Sequence, residues 1–140
     1  MIVNMIKVQN KNIFTYRRLV YMEDTDSTGN LYFTAPLRFS VQAFEQFLHG
    51  NKLPEIALPI VHSEQDIFAP AKRGEEVTVH LYLLKLGKSS FTIETELYTD
   101  VLMAKNQIVH VALPEISGEL RALLLPLKRE ESIGNLKTRK

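Results

Sequence analysis

Apolar and polar positions change rhythm along the chain. Residues 13–22, IFTYRRLVYM, are rich in β-branched and aromatic side chains and predict a first strand, which ends at the acidic, glycine-containing stretch Glu23–Asn30. From Pro36 to His49 the apolar residues Leu37, Val41, Phe44, Phe47 and Leu48 recur at helical spacing, and Gly50-Asn51 supplies a stop. Phe39 and Ala43 widen that apolar surface, so this helix, about residues 35–49, is expected to be covered on more than one side. Beyond it the period falls to two. Val77, Val79, Leu81 and Leu83 share one face of a strand, and Phe91, Ile93, Thr95 and Leu97 alternate with Thr92, Glu94, Glu96 and Tyr98 in the next. Residues 86–90, LGKSS, suit a hairpin between these two, and segments 57–68 and 107–113 also read as strands. The order strand, helix, four strands predicts an α+β domain with one helix against a mainly antiparallel sheet.

A length of 140 residues without a Pro/Gly/Ser-rich divider fits one domain, expected to run over 1–126 and to be followed by a basic tail at 127–140. That tail carries Lys128, Arg129, Lys137, Arg139 and Lys140 with little periodicity and reads as solvated. With 45% hydrophobic and 24% charged residues the chain is expected to bury a core. Seventeen Lys and Arg against 16 Asp and Glu create no field favouring nucleic acid or a membrane, so the expected partner is a small molecule or another copy. The lack of cysteine removes disulfides, thiolate metal sites and cysteine nucleophiles, and fits a reducing compartment. No leader-like or bilayer-spanning run is visible, and a cytoplasmic location is expected.

Candidate chemistry concentrates between Glu23 and Thr34. Asp24, Asp26, Thr28 and Gly29 match the first half of a calcium loop, but Ala35 stands where its bidentate glutamate belongs and a strand precedes it where a helix is required. A plain solvated turn, capped by Asp and Ser side chains with Gly29 at positive φ, is the simpler alternative. His49, His80 and His110 show no zinc-site spacing and are expected to satisfy local hydrogen bonds, so no metal is predicted.

Asp26-Ser27-Thr28-Gly29-Asn30-Leu31-Tyr32-Phe33, followed by Leu37-Arg38-Phe39, resembles the signature of the 4-hydroxybenzoyl-CoA thioesterase family, Asp-x-x-Gly-x-x-Tyr/Trp between the first strand and the central helix. Phe68-Ala69-Pro70-Ala71 with Gly74-Glu75, and Lys88-Ser89-Ser90-Phe91, are similar to that family's later motifs. Val20-Tyr21, Asp24-Thr25-Asp26, Tyr32-Phe33 and the segment Ala57–His62 are most similar to its 1,4-dihydroxy-2-naphthoyl-CoA hydrolases. The resemblance implies a hot-dog fold, in which the sheet wraps around one central helix. It also implies a cofactor-free hydrolase of an acyl-CoA, an aromatic one such as 1,4-dihydroxy-2-naphthoyl-CoA.

Under that resemblance Asp26 either attacks the thioester carbonyl or activates water, and the Phe33 N–H at the helix N-terminus receives the oxyanion. Gly29 lets the backbone pass close to the acyl group, Tyr32 and Phe33 offer aromatic surface, and His62 faces the acyl pocket. Lys88, Ser89 and Ser90 meet the phosphates of coenzyme A. Thr34 and Pro36 depart from the family's usual residues at the helix start. Another branch of hot-dog thioesterases keeps its carboxylate on the helix, but that branch's His-Gly-Gly motif is absent, so Glu45 is expected to pair locally or face solvent. Exposed strand edges argue against a lone protomer, and the resemblance implies a homodimer or homotetramer with the site between protomers. A thioesterase acting on an acyl-carrier protein, and a non-catalytic acyl-CoA-binding domain, are the alternatives.

Overall fold

The computed structural model describes residues 13–53 and 57–129. Its elements are β1 (Phe14–Leu19), α1 (Ala35–Gly50), β2 (Ile60–Ile67), β3 (Glu76–Leu86), β4 (Ser90–Tyr98), β5 (Leu102–Val111) and α2 (Gly118–Leu124). The five strands form one antiparallel sheet in the order β1-β3-β4-β5-β2, which leaves β1 and β2 at its edges. Period-two alternation does what the sequence predicts: Val77, Val79 and Leu81 of β3, Phe91, Ile93 and Leu97 of β4, and Ala104 and Ile108 of β5 are all buried on the face that meets α1.

On α1 the buried stripe is Ala35, Pro36, Phe39, Ser40, Ala43, Phe44, Phe47 and Leu48, two neighbours in each successive turn. Pro36 sits in the first turn, where a missing N–H breaks no helical bond, and Asn51 closes the far end by donating its amide to the Phe47 carbonyl at 2.8 Å. Leu37 and Val41 are only half-buried and Arg38 and Glu45 are exposed, so among the described residues α1 is covered on the sheet side alone. Phe39 and Ala43, from which cover on more than one side is expected, are both buried on the sheet side, and the described residues supply no second cover.

A short helix that the strand-and-helix order did not include, α2, follows β5, with Ser117 Oγ accepting the Leu120 N–H at 3.1 Å. Leu120 and Leu124 are buried and close the end of the core. The segment read as a solvated tail begins by docking. Leu127 is buried, Lys128 bridges Leu83, and Arg129 lies 3.7 Å over the Tyr82 ring while reaching Glu94 at 3.4 Å and Glu96 at 3.0 Å. That guanidinium explains how two outward-facing carboxylates of β4 come to be buried. Residues 130–140, including Lys137, Arg139 and Lys140, lie outside the described residues.

Candidate active site

The acidic segment divides into an inner and an outer carboxylate. A single 3-10 turn at Met22–Asp24 swings Asp24 inward, where it is wholly buried. Arg18 on β1 donates to it through Nη1 at 2.6 Å and Nη2 at 3.4 Å, Arg38 on α1 through Nη1 at 3.0 Å, and the Tyr21 N–H at 2.9 Å. Burial pushes the Asp24 carboxyl up, but the Arg18, Tyr21 and Arg38 donors together bring it below the usual carboxylate range. Its own carbonyl accepts the Tyr32 N–H at 2.8 Å, so one residue ties β1, the acidic loop and the first turn of α1 together. With two guanidinium partners, Asp24 is a structural anchor and not a calcium ligand.

Asp26 faces the other way. Its Oδ1 accepts the Thr28 hydroxyl at 2.5 Å, the Thr28 N–H at 2.8 Å and the Asn30 N–H at 3.3 Å, while Oδ2 has no donor among the described residues. The Thr28 hydroxyl and the two backbone donors hold this carboxyl below the usual range, so it is ionised at neutral pH. The loop closes through Asp26 N–H to Asn30 O at 2.8 Å and Gly29 N–H to Asp26 O at 3.0 Å. Gly29 takes φ +84°, which accounts for the glycine. A Cβ there would meet nothing within 4 Å, so among the described residues no close backbone approach requires it. Leu31 N–H to Ala71 O at 2.6 Å and Arg73 N–H to Gly29 O at 3.2 Å staple the loop to the segment after β2.

Between this loop and the end of β2 lies a cleft of about 410 Å³ lined by Asp26, Leu31, Tyr32, Phe33, Ile67, Phe68, Ala69 and Pro70. Tyr32 and Phe33, 46% and 62% exposed, are not core aromatics; their rings meet at 4.9 Å on the cleft wall. A turn closed by Ala35 N–H to Tyr32 O at 2.9 Å leads into α1. Neither the Phe33 nor the Thr34 N–H has an acceptor among the described residues, and the Thr34 side chain caps nothing. Phe33, just before the start of α1, thus lines the same cleft as the Asp26 carboxylate.

The family described as the thioesterase superfamily matches residues 20–103 of this chain. The chain belongs to that superfamily. Curated relatives named 1,4-dihydroxy-2-naphthoyl-CoA hydrolase include one from Synechocystis sp., 36% identical over 73% of this chain and 83% of the relative, and one from Nostoc punctiforme, 32% identical over 79% and 80%. Among solved structures, that of a 1,4-dihydroxy-2-naphthoyl-CoA thioesterase from Synechocystis superposes with a TM-score of 0.72 at 29% identity, covering 84% of this chain and 99% of that one. The fold is the hot-dog fold, and the protein is a thioester hydrolase.

In this thioesterase the chain brings Asp26, Tyr32 and Phe33 together at one cleft, with Gly29 in the same loop. Phe68, Ala69 and Pro70 of the quoted motif supply the opposite wall. His62 is elsewhere. It pairs across the sheet with Val109, on the face turned away from α1, and its Nε2 lies 3.0 Å from Glu64. Lys88, Ser89 and Ser90 form the hairpin at the far end of β4, roughly 27 Å along the strand from the cleft end. Ser89 Oγ donates to Pro114 O at 3.0 Å, and Lys88 approaches Glu115 at 3.9 Å. His110 meets the Leu58 carbonyl at 3.0 Å, and burial lowers its pKa. Among the described residues no three His, Cys, Asp or Glu side chains are grouped to hold a metal, and no helix is long and apolar enough to cross a membrane.

Two features escaped the sequence reading. The Arg18–Asp24–Arg38 cluster had one available signal, an arginine interrupting the inward face of β1 after Phe14 and Tyr16. Gln65 of β2 donates its amide to the Phe33 carbonyl at 2.8 Å, a contact that only the folded register brings about.

Proposed function

We propose that this protein hydrolyses 1,4-dihydroxy-2-naphthoyl-CoA, or a closely similar aromatic acyl-CoA, to the free acid and coenzyme A. The observation that carries the reading is the asymmetry of Asp26: one oxygen is held by three donors, and the other has no donor among the described residues, at a cleft shared with Phe33, whose N–H has no acceptor among them. An ionised, fixed carboxylate serves either as nucleophile on the thioester carbonyl or as base for an attacking water, and the Phe33 N–H takes the charge that gathers on the carbonyl oxygen in either route. Tyr32, Phe33 and Phe68 offer rings against which a fused aromatic acyl group stacks. The names of the curated relatives support the naphthoyl group.

The same proposal includes a second copy and a cytoplasmic location, the latter supported by a chain without cysteine. β2 is an edge strand with Ile60, Val61 and Ile67 exposed, a surface that pairs readily with another strand. If two copies join β2 to β2 antiparallel about a two-fold axis, the hairpin end of each sheet comes alongside the cleft end of the other. Lys88, Ser89 and Ser90 of the second copy then meet coenzyme A at this chain's Asp26, which gives these residues a role that one protomer does not.

Thiol release from a panel of aromatic and aliphatic acyl-CoAs and acyl-carrier proteins tests the reading, with the highest kcat/KM expected for hydroxylated aromatic acyl-CoAs. Preference for acyl-carrier proteins would move the activity to a different carrier, and saturable acyl-CoA binding without turnover would make the protein a binding domain.

A pH profile tests the state of Asp26. Thr28→Val removes the hydroxyl that contributes most to the low Asp26 pKa, so the acid limb of kcat/KM is expected at higher pH in the variant than in the wild type. A limb that stays put would mean that another group titrates.

A further inference from the structure

We infer that Gln65 is a positioning residue of the hydrolytic site, acting through the backbone on either side of Phe33; the inference rests on the reading just proposed. β2 is otherwise exposed along its whole length, and Gln65 is its one half-buried residue, because the side chain reaches beneath the start of α1. There its Nε2 donates to the Phe33 carbonyl at 2.8 Å across 32 residues of sequence. Its Oε1 is buried with no partner among the described residues, so the Phe33 bond alone sets which way the amide points.

The peptide plane turns this contact into control of donors. The Phe33 C=O shares a rigid plane with the Thr34 N–H, and the Tyr32 C=O shares one with the Phe33 N–H. Ala35 N–H anchors the Tyr32 plane at 2.9 Å, a local consequence of the turn, whereas Gln65 anchors the Phe33 plane from another element. With both planes held, neither N–H can swing. Without Gln65 the Phe33 carbonyl has a competing donor in Leu37 N–H, four residues on, which has no acceptor among the described residues. Taking that bond would extend α1 backwards by one residue and rotate the Phe33–Thr34 peptide.

The strand opposite reinforces the hold. Asn106 on β5 is the direct cross-strand partner of Gln65 and is almost wholly buried. Its Nδ2 donates to Ser40 Oγ at 3.0 Å, and Ser40 Oγ donates to the Pro36 carbonyl at 2.8 Å, with Thr95 Oγ1 also at 2.8 Å. Two neighbouring amides thus hold the start of α1 through directional bonds, Gln65 directly at Phe33 and Asn106 by way of Ser40. The arrangement leaves Gln65 Oε1 and Asn106 Oδ1 unpaired among the described residues, which an apolar pair would avoid. An apolar pair would not aim the N–H groups.

The test compares wild type, Asp26→Asn, Gln65→Leu and the near-isosteric Gln65→Glu on the best aromatic acyl-CoA, with melting curves for each. Gln65→Leu is expected to lose roughly 10- to 100-fold in kcat with KM changed less than about twofold, the mark of a displaced catalytic group. Gln65→Glu, whose carboxylate cannot donate when ionised, is expected to show the same loss at pH 7.5 and to regain kcat relative to wild type towards pH 5, as the carboxyl gains a proton. This variant decides the matter if Gln65→Leu does not fold. A kcat within twofold of wild type, a loss confined to KM, or a Gln65→Glu to wild-type ratio that does not move with pH would overturn the inference. If that happens while Asp26→Asn is inactive, the proposed function stands; a wild type without thioester hydrolysis would overturn both.

Discussion

Asp24→Asn is expected to destabilise the protein by about 3 kcal/mol, the range for breaking a buried ion pair from one side. Asp24 is wholly buried and is approached by Arg18 at 2.6 Å and Arg38 at 3.0 Å. Removing its charge leaves Arg18 without a counter-ion, and that guanidinium cannot simply move to water because it lies 4.4 Å over the Phe39 ring and helps to cover the core. Arg38 is 44% exposed and contributes little to this loss, since solvent screens it. The pH dependence has a definite sign. Burial raises the Asp24 pKa but its donors lower it further, so the folded value lies below the unfolded one. Its contribution is therefore complete above the ordinary carboxylate pKa of roughly 3.9 and disappears as pH falls through the lower folded value. Urea melts at pH 7 and at steps from pH 5 to pH 2 measure both effects. The expected result is a large gap between variant and wild type at pH 7 that narrows in acid; equal midpoints at pH 7 would contradict the anchoring role.

That cluster also marks where sequence reading stopped. Strand alternation and the helical repeat of α1 are local, and both emerged where the pattern placed them, β3 and β4 within a few residues of the predicted limits. The loop signature likewise pointed to Asp26, Tyr32 and Phe33, which line one cleft. Which of two nearby acidic residues turns inward is not a local property. Asp24 is drawn in by Arg18, six residues back, and by Arg38, fourteen residues on. Without knowing that β1 and α1 converge there, the polar pattern does not say which of Asp24 and Asp26 is buried. Gln65 was illegible for the same reason, since its partner is a main-chain carbonyl 32 residues away. The burial of Glu94 and Glu96 depends on Arg129 crossing the outer face of the sheet, in a segment whose basic composition reads as solvent-facing. His62 illustrates the opposite case: the register of β2 turns it to the outer face, while the motif around it suggested a pocket.

Asp26→Asn is expected to lower kcat for thioester hydrolysis by roughly 10²- to 10⁴-fold, the span for removing a positioned nucleophile or general base. Asparagine preserves the shape and can still accept the Thr28 and Asn30 N–H bonds through its carbonyl oxygen, so the loop and the stability of the protein are expected to survive. Only the second oxygen changes, from a charged Oδ2 to an amide nitrogen that can neither attack a carbonyl nor take a proton from water. Because the side chain is exposed and is not among the groups that hold the core, loss of activity and loss of fold separate cleanly in this variant. The most direct measurement is kcat for coenzyme A release from 1,4-dihydroxy-2-naphthoyl-CoA at pH 7.5, wild type beside Asp26→Asn, with the melting curve of each. A cleaving wild type and a variant at least about 100-fold slower that melts at the same temperature is the predicted result. Equal turnover by a well-folded Asp26→Asn protein would contradict it.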